Sequence, residues 1–268
     1  MRLRTGLVKS KNLVSVRILQ AITPQYAQDY ITRFGFDAKY HPPYLTMALG
    51  AGNVTPMQMA GGYAVFANGG FRINPYFIVR IEDAKGTVIA QARPERAAET
   101  AQRAIDARNA FIMTSILHDV VKMGTGARAM QLGRGDLAGK TGTTNDFIDA
   151  WFCGFGTGLV AVSWIGFDTP HTLGHNETGA QAALPMWMAY MGKVMKGVEE
   201  QPRSAPDGIV QARIVVETGL RDSDGRGGMV EYFYQEFLPA ERDSEAALLT
   251  PGLPGGTKPP EEVKSQLF

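Results

Sequence analysis

The sequence predicts an α+β fold in which an antiparallel sheet is covered by helices, and three features of the 268-residue chain point to it. Capped helical patterns occupy the first part of the chain. Strand-like runs separated by glycine-containing turns occupy the middle, and one amphipathic helical pattern follows them. Strands grouped together, rather than alternating with helices, favour antiparallel neighbours over parallel crossovers. A chain of this length can bury a substantial core as one large domain or two modest ones.

Taken in order, a helix is expected over about 12–21. Thr23-Pro24 caps the next, because proline's fixed φ suits the first helical position; it runs to about 33 and Gly35 ends it. The chain loops around Gly50-Ala51-Gly52-Asn53. Thr55-Pro56-Met57-Gln58 then combines proline at the first position with a capping box, in which the Thr and Gln side chains satisfy free backbone N–H groups. Met59, Tyr63 and Phe66 recur at helical spacing until Asn68-Gly69-Gly70 stops the helix. Runs over 77–82 and 87–91 flank Asp83-Ala84-Lys85-Gly86 as a hairpin. The charged stretch 93–103 is a solvated connection. Asp106 caps a helix through about 121, with Ile112, Ile116 and Val120 on one face. Beyond Gly124-Thr125-Gly126 come a strand through Lys140, two more strands up to Phe167, a loop through His175 and a closing helix over about 180–196. After Gly197 the character changes. Residues 209–217 alternate like a strand and 231–237 are rich in aromatics. From about 250 a Pro- and Gly-rich run cannot bury enough surface to order itself. The organisation expected is a body over 1–200 and a C-terminal extension over 201–268, disordered from about 250.

Charge excludes one class of partner. There are 27 Lys+Arg against 26 Asp+Glu, formally +1, with no basic block, so nothing supports a nucleic-acid partner. Cys153 is the only cysteine, which rules out an internal disulfide and a cysteine-based metal site; it reads as a small core residue. No secretory signal opens the chain, since Lys9 and Lys11 precede any apolar run of useful length. Residues 150–167 carry no charge, but Gly154, Gly156, Gly158 and Gly166 favour two apolar strands around a Gly156-Thr157-Gly158 turn over a membrane span. A soluble chain without an address label is expected.

The stretch Lys140-Thr141-Gly142-Thr143-Thr144 carries the most chemistry. It puts a cation, three hydroxyls and a residue without a side chain on one extended segment. Such a strand edge suits a small carboxylate: lysine supplies charge, threonines donate hydrogen bonds, and Gly142 lets a ligand approach the backbone. A phosphate loop is the rival, because Gly139-Lys140-Thr141 matches the end of GxxxxGK[ST]. The first glycine of that pattern falls on Arg134, and the chain runs on into a strand instead of opening a helix. His171, His175 and Glu177 lie in a loop where their spacing has no helical meaning, so neither a metal nor a cofactor is expected. His41 and His118 read as structural, and Asp146 and Asp149 as turn residues beside the strand. Met186, Trp187, Met188 and Met191 read in part as core.

Ser10-Lys11-Asn12 is a second polar triplet, S-x-N, at the mouth of an apolar helix; alone, its serine reads as a helix cap. Together with K-T-G it resembles the signature S-x-x-K, S-x-N, K-T-G of penicillin-binding proteins and serine β-lactamases. The segments RLRTGLVKSKNLVSVRIL, TPMQMAGGYAVFANGG, Met123-Gly124-Thr125-Gly126, KTGTTNDFIDAWFCGF, LVAVSWIGFD and ETGAQAALPMWMAYM extend the likeness. They resemble the transpeptidase domain of a class A, bifunctional penicillin-binding protein over most of residues 2–197. A β-lactamase or carboxypeptidase of the same superfamily fits K-T-G but explains the NDFIDAWFCGF context poorly.

The resemblance implies a β-lactamase-like transpeptidase fold, cut short at its N-terminal side, and an acyl-serine D,D-transpeptidase that cross-links peptidoglycan. It implies stem peptides ending in D-Ala-D-Ala as substrates, β-lactams as inhibitors, no cofactor, and work on the periplasmic face of the cytoplasmic membrane under an N-terminal anchor. By resemblance Ser10 relays a proton to the scissile nitrogen. Lys140 holds that hydroxyl and makes the cleft positive, and Asn12 orients substrate backbone and the catalytic lysine. Thr141 and Thr143 bind the carboxylate with Gly142 and Thr144 beside them, and the Thr143 N–H forms half of an oxyanion hole. The family's attacking serine belongs to S-x-x-K. Three residues on from Ser10, Ser15, Ser115, Ser163, Ser204, Ser223, Ser244 and Ser265 there is never a lysine. A fragment inactive by itself is therefore expected, with a non-catalytic module that binds peptidoglycan peptides or a partner as the alternative.

Overall fold

The computed structural model describes residues 1–222 and 228–242; the expected disordered tail lies outside the described residues. Helix α1 (Leu3–Val8), too short to announce itself in the sequence, precedes α2 (Asn12–Ile22) and α3 (Pro24–Ile31). The expected caps form where the sequence put them. Thr23 accepts from the Tyr26 N–H at 3.3 Å. At α4 (Pro56–Ala67) both halves of the capping box close, Gln58 N–H to Thr55 Oγ1 at 3.2 Å and Thr55 N–H to Gln58 Oε1 at 2.9 Å. Asp106 accepts from the Arg108 N–H at 2.8 Å at the start of α5 (Ala107–Met123).

Between α4 and α5 lie β1 (Phe71–Arg72), β2 (Arg80–Glu82), β3 (Val88–Gln91) and β4 (Gln102–Arg103). β2 and β3 form the expected hairpin, but it stands apart from the main sheet with every residue exposed. β4, inside the stretch expected to be a plain connection, pairs antiparallel with β1.

The main sheet is antiparallel, in the order β5 (Ala138–Thr143), β6 (Ala150–Gly156), β7 (Leu159–Ile165). The uncharged run becomes the β6–β7 hairpin, with Gly158 at φ +72° in its turn. Strand alternation sends Phe152 and Phe155 to opposite faces. On one face Phe152 meets the Trp187 ring edge-on at 4.9 Å, within a core that includes Leu137, Leu184 and Met191. Trp187 satisfies its indole N–H on the Ala161 carbonyl at 3.0 Å. The helix that supplies Leu184, Trp187 and Met191 enters through a π-helical turn, Gly179–Ala183, before α6 (Leu184–Val194), where the sequence predicts one uninterrupted α-helix. On the other face Phe155 packs with Leu117 of α5 and with Tyr63 and Phe66 of α4. The sheet is thus covered by helices on both sides, the α+β arrangement expected. Among the described residues no helix is long and apolar enough to cross a membrane.

Beyond residue 200, β8 (Ile209–Ile214) and β9 (Met229–Tyr234) pair antiparallel. This hairpin packs on α5, with the Phe111 and Tyr232 rings 5.0 Å apart, and on α1 through Arg4. Arg4 donates to both Glu231 oxygens, to Asp119 at 2.8 Å and to the Ser115 carbonyl at 3.0 Å, joining α1, α5 and β9.

Candidate functional site

Ser10 sits at the corner between α1 and α2. The corner is tight because Gly6 lets Val14 in; a Cβ there would meet Val14 Cγ1 at 2.7 Å. The Lys11 N–H returns to the Gly6 carbonyl at 2.8 Å and the Ser10 N–H to Leu7 at 3.0 Å. Ser10 itself has φ +50°, a left-handed conformation that costs a serine about 1–2 kcal/mol. It does not cap α2, whose start has no side-chain cap. Its hydroxyl instead accepts from Lys140 Nζ at 2.9 Å, across 130 residues of sequence.

Lys140 lies on β5 opposite Cys153, and its ammonium also donates to the Thr141 carbonyl at 3.0 Å. Burial pulls its pKa down from 10.5 to about 8, which leaves it charged at neutral pH yet able to exchange a proton near physiological conditions. Asn12 is exposed as the first residue of α2. Cys153 offers no rival chemistry, because burial raises its thiol to about 12.

The remaining strand residues have distinct surroundings. The Thr141 hydroxyl is 2.7 Å from that of Thr125. Gly142 has Trp151 beside it, with only 3.1 Å from an added Cβ to Trp151 Cβ. Thr143 Oγ1 accepts from the Gly179 N–H at 3.0 Å. Thr144 closes the turn after the strand, accepting from the Asp149 N–H at 2.7 Å, while Asp149 accepts from the Trp164 indole at 2.7 Å. Asp146 and Phe147 both have positive φ, at +57° and +53°, in that turn.

Thr125 and Gly179 are the two contacts that the motifs did not single out. A Cβ on Gly179 would fall 2.3 Å from the Trp151 carbonyl and 2.4 Å from that of Gly142, so only glycine lets the π-helical turn press on β5. Both residues lie within segments quoted for the family likeness, but neither spacing nor periodicity marks them. The loop histidines make other contacts: His171 stacks on Phe167 at 3.7 Å and His175 faces Phe147 at 6.4 Å. Among the described residues no group of three or more His, Cys, Asp or Glu could hold a metal. A cavity of about 840 Å³ lies elsewhere, against His118, Asp136, Arg203 and Tyr232, and none of Ser10, Asn12 and residues 140–144 lines it.

Taken together, an ammonium, two strand hydroxyls and a serine hydroxyl held by that ammonium suit the capture of a carboxylate next to a proton relay. The family described as the penicillin binding protein transpeptidase domain matches residues 1–157. Penicillin-binding protein 1A of Neisseria flavescens is 50% identical over 208 residues, covering 78% of this chain and 26% of that protein. Penicillin-binding protein 1A of Pseudomonas aeruginosa is 41% identical, covering 97% of this chain and 37% of that protein. The chain thus spans between about a quarter and somewhat over a third of the length of these relatives. The crystal structure of penicillin-binding protein 1A from Haemophilus influenzae superposes with a TM-score of 0.84 at 35% identity, covering 90% of this chain and 41% of that one.

Proposed function

We propose, from the premise that this chain belongs to the penicillin-binding protein transpeptidase family, that it is the C-terminal part of a D,D-transpeptidase that cross-links peptidoglycan by an acyl-serine mechanism. One observation carries the reading: the hydroxyl of S-x-N and the ammonium of K-T-G meet at 2.9 Å. Residues 1–200 are the part of the transpeptidase domain that follows S-x-x-K. Residues 201–268 are an extension, whose described hairpin buttresses α1 and α5.

Ser10 and Lys140 relay a proton toward the scissile nitrogen, and a lysine depressed to about 8 suits that exchange. Asn12 orients substrate backbone. Thr141 and Thr143 hold the terminal carboxylate of a stem peptide ending in D-Ala-D-Ala, or that of a β-lactam, along the Gly142–Thr144 edge. The Thr143 N–H supplies half of the oxyanion hole. The attacking serine comes from a segment outside these residues, so the chain by itself does not acylate. The longer protein works on the periplasmic face of the cytoplasmic membrane.

The test is acylation by a labelled penicillin in the longer protein that includes S-x-x-K. Lys140→Ala and Ser10→Ala are each expected to slow it by roughly 10²-fold or more, the usual weight of a positioned acid or base. Undiminished acylation in either variant would defeat the role given to that residue. The 268-residue chain should form no covalent adduct; a stable adduct on a denaturing gel would show a nucleophile inside it.

A further inference from the structure

We infer that Thr125 is a positioning residue of this site: its hydroxyl aims the Thr141 hydroxyl, while its backbone ties the K-T-G strand to the end of α1, two residues before Ser10. This rests on the reading of the site as a carboxylate-binding transpeptidase cleft.

Thr125 lies in the Gly124-Thr125-Gly126 segment that ends α5. The Gly124 and Gly126 N–H groups both return to the Val120 carbonyl, at 3.0 and 3.1 Å, so the segment bends back over the last turn of the helix. The Thr125 N–H donates to the Val8 carbonyl at 3.3 Å, two residues before Ser10. Gly124 is what permits this approach, since a Cβ there would fall 2.5 Å from the same Val8 oxygen. On its side-chain end, Thr125 Oγ1 is 2.7 Å from Thr141 Oγ1. One residue therefore touches both halves of the site, α1 through its backbone and β5 through its hydroxyl.

The hydroxyl pair has a chemical consequence. A threonine hydroxyl has one proton to give and can accept more than one. If Thr125 donates into the pair, the Thr141 proton is left to point outward, toward the carboxylate that the strand edge binds. Without Thr125 Oγ1 the Thr141 hydroxyl rotates freely, and part of the carboxylate's hydrogen bonding must be ordered on binding. The loss should appear in affinity, not in the acyl-transfer step, because the backbone tie to Val8 survives any side-chain change.

The experiment uses the longer protein and separates the dissociation constant of the pre-acylation complex from the limiting acylation rate, with penicillin G and its methyl ester as probes. For penicillin G, Thr125→Val should raise the dissociation constant about 3- to 10-fold, the worth of one neutral hydrogen bond, with the limiting rate unmoved. Thr125→Ser should restore the affinity, and Thr125→Ala should match Thr125→Val if the bulkier variant folds poorly. With the ester, wild type and Thr125→Val should coincide. Equal affinities of wild type and Thr125→Val for penicillin G would overturn the inference and leave the transpeptidase reading standing. Equal losses for the acid and the ester, or no rescue by serine, would reduce Thr125 to a packing residue and overturn it too. A wild type that penicillin G never acylates would sink the reading and the inference together.

Discussion

Lys140 illustrates how a single residue couples burial to chemistry. Its pKa is lowered by burial from 10.5 to about 8, so the folded state holds this proton less tightly than the unfolded chain. Below about 8 the lysine is charged in both states and the cost of burying the charge is present in full. From about 8 to 10.5 the unfolded chain binds the extra proton, so this group makes stability rise with pH across that window. Denaturant midpoints of wild type and Lys140→Met should therefore converge as pH climbs through it, and parallel curves would contradict the assignment. Carboxylate capture should run the other way, weakening above about 8 as the charge is lost. Gly179 makes the complementary point about shape. An alanine there meets two backbone carbonyls, at 2.3 and 2.4 Å, and backbone cannot step aside as a side-chain tip can. Gly179→Ala should cost at least about 1–3 kcal/mol, the range for overpacking, and should also loosen the Gly179 N–H bond to Thr143. A urea midpoint equal to wild type would show that the π-helical turn yields easily.

Helix α1 shows what an element owes to distant parts of the chain. It has six residues and no side-chain cap at its start, so little of its stability is local. Val8 packs with Ile116 and Val120 of α5, and Arg4 is enclosed by Glu231 and Asp119. Burial alone would lower the Arg4 pKa, but the two carboxylates outweigh it and the net shift is upward. Arg4→Met takes the cation from Asp119 and leaves Glu231 only its longer pair with Arg2 at 3.6 Å, a loss typically of about 3–5 kcal/mol for a buried pair. The urea midpoint should fall accordingly, and Glu231→Gln in the same background should recover part of it; a neutral Arg4→Met would mean that water takes the arginine's place. This dependence also explains what the sequence could and could not disclose. The Thr55–Gln58 box, the Asp106 cap and the β6–β7 hairpin were legible because each is closed by neighbours within a few positions. Helix α1, the pairing of β8 with β9 and the β1–β4 ladder are closed by residues far along the chain, and local pattern is silent on such partners. Ser10 is the sharpest case. Spacing alone made it a helix cap, and only the family likeness paired it with Lys140, the partner that its hydroxyl meets. Thr125 and Gly179 lie within segments of the family likeness but received no role from it, and spacing missed them because a hydroxyl contact and a backbone approach leave no periodic trace.

At the scale of the whole molecule, the sheet has an unequal pair of edges. β5 presents its outer side to the candidate site, where Ser10, Thr125 and Gly179 surround it. β7 has β6 as its single strand partner among the described residues, so its other side is an edge. Its sequence, LVAVSWI, has no charge and no proline, which are the usual means of keeping such an edge from pairing with another chain. The β2–β3 hairpin and the segment leading into it add a second apolar surface, with Phe77 79% and Ile89 67% exposed. The isolated chain should therefore self-associate as its concentration rises, and the two surfaces predict different footprints. If strand addition at β7 drives association, hydrogen exchange at high concentration should slow first in amides of β7, while central β6 is already protected in the monomer. If the hairpin drives it, protection should grow around residues 77–91 and β7 should be unchanged. Light scattering that reports a monomer at every concentration would overturn both, and would mean that these surfaces are covered within the chain itself.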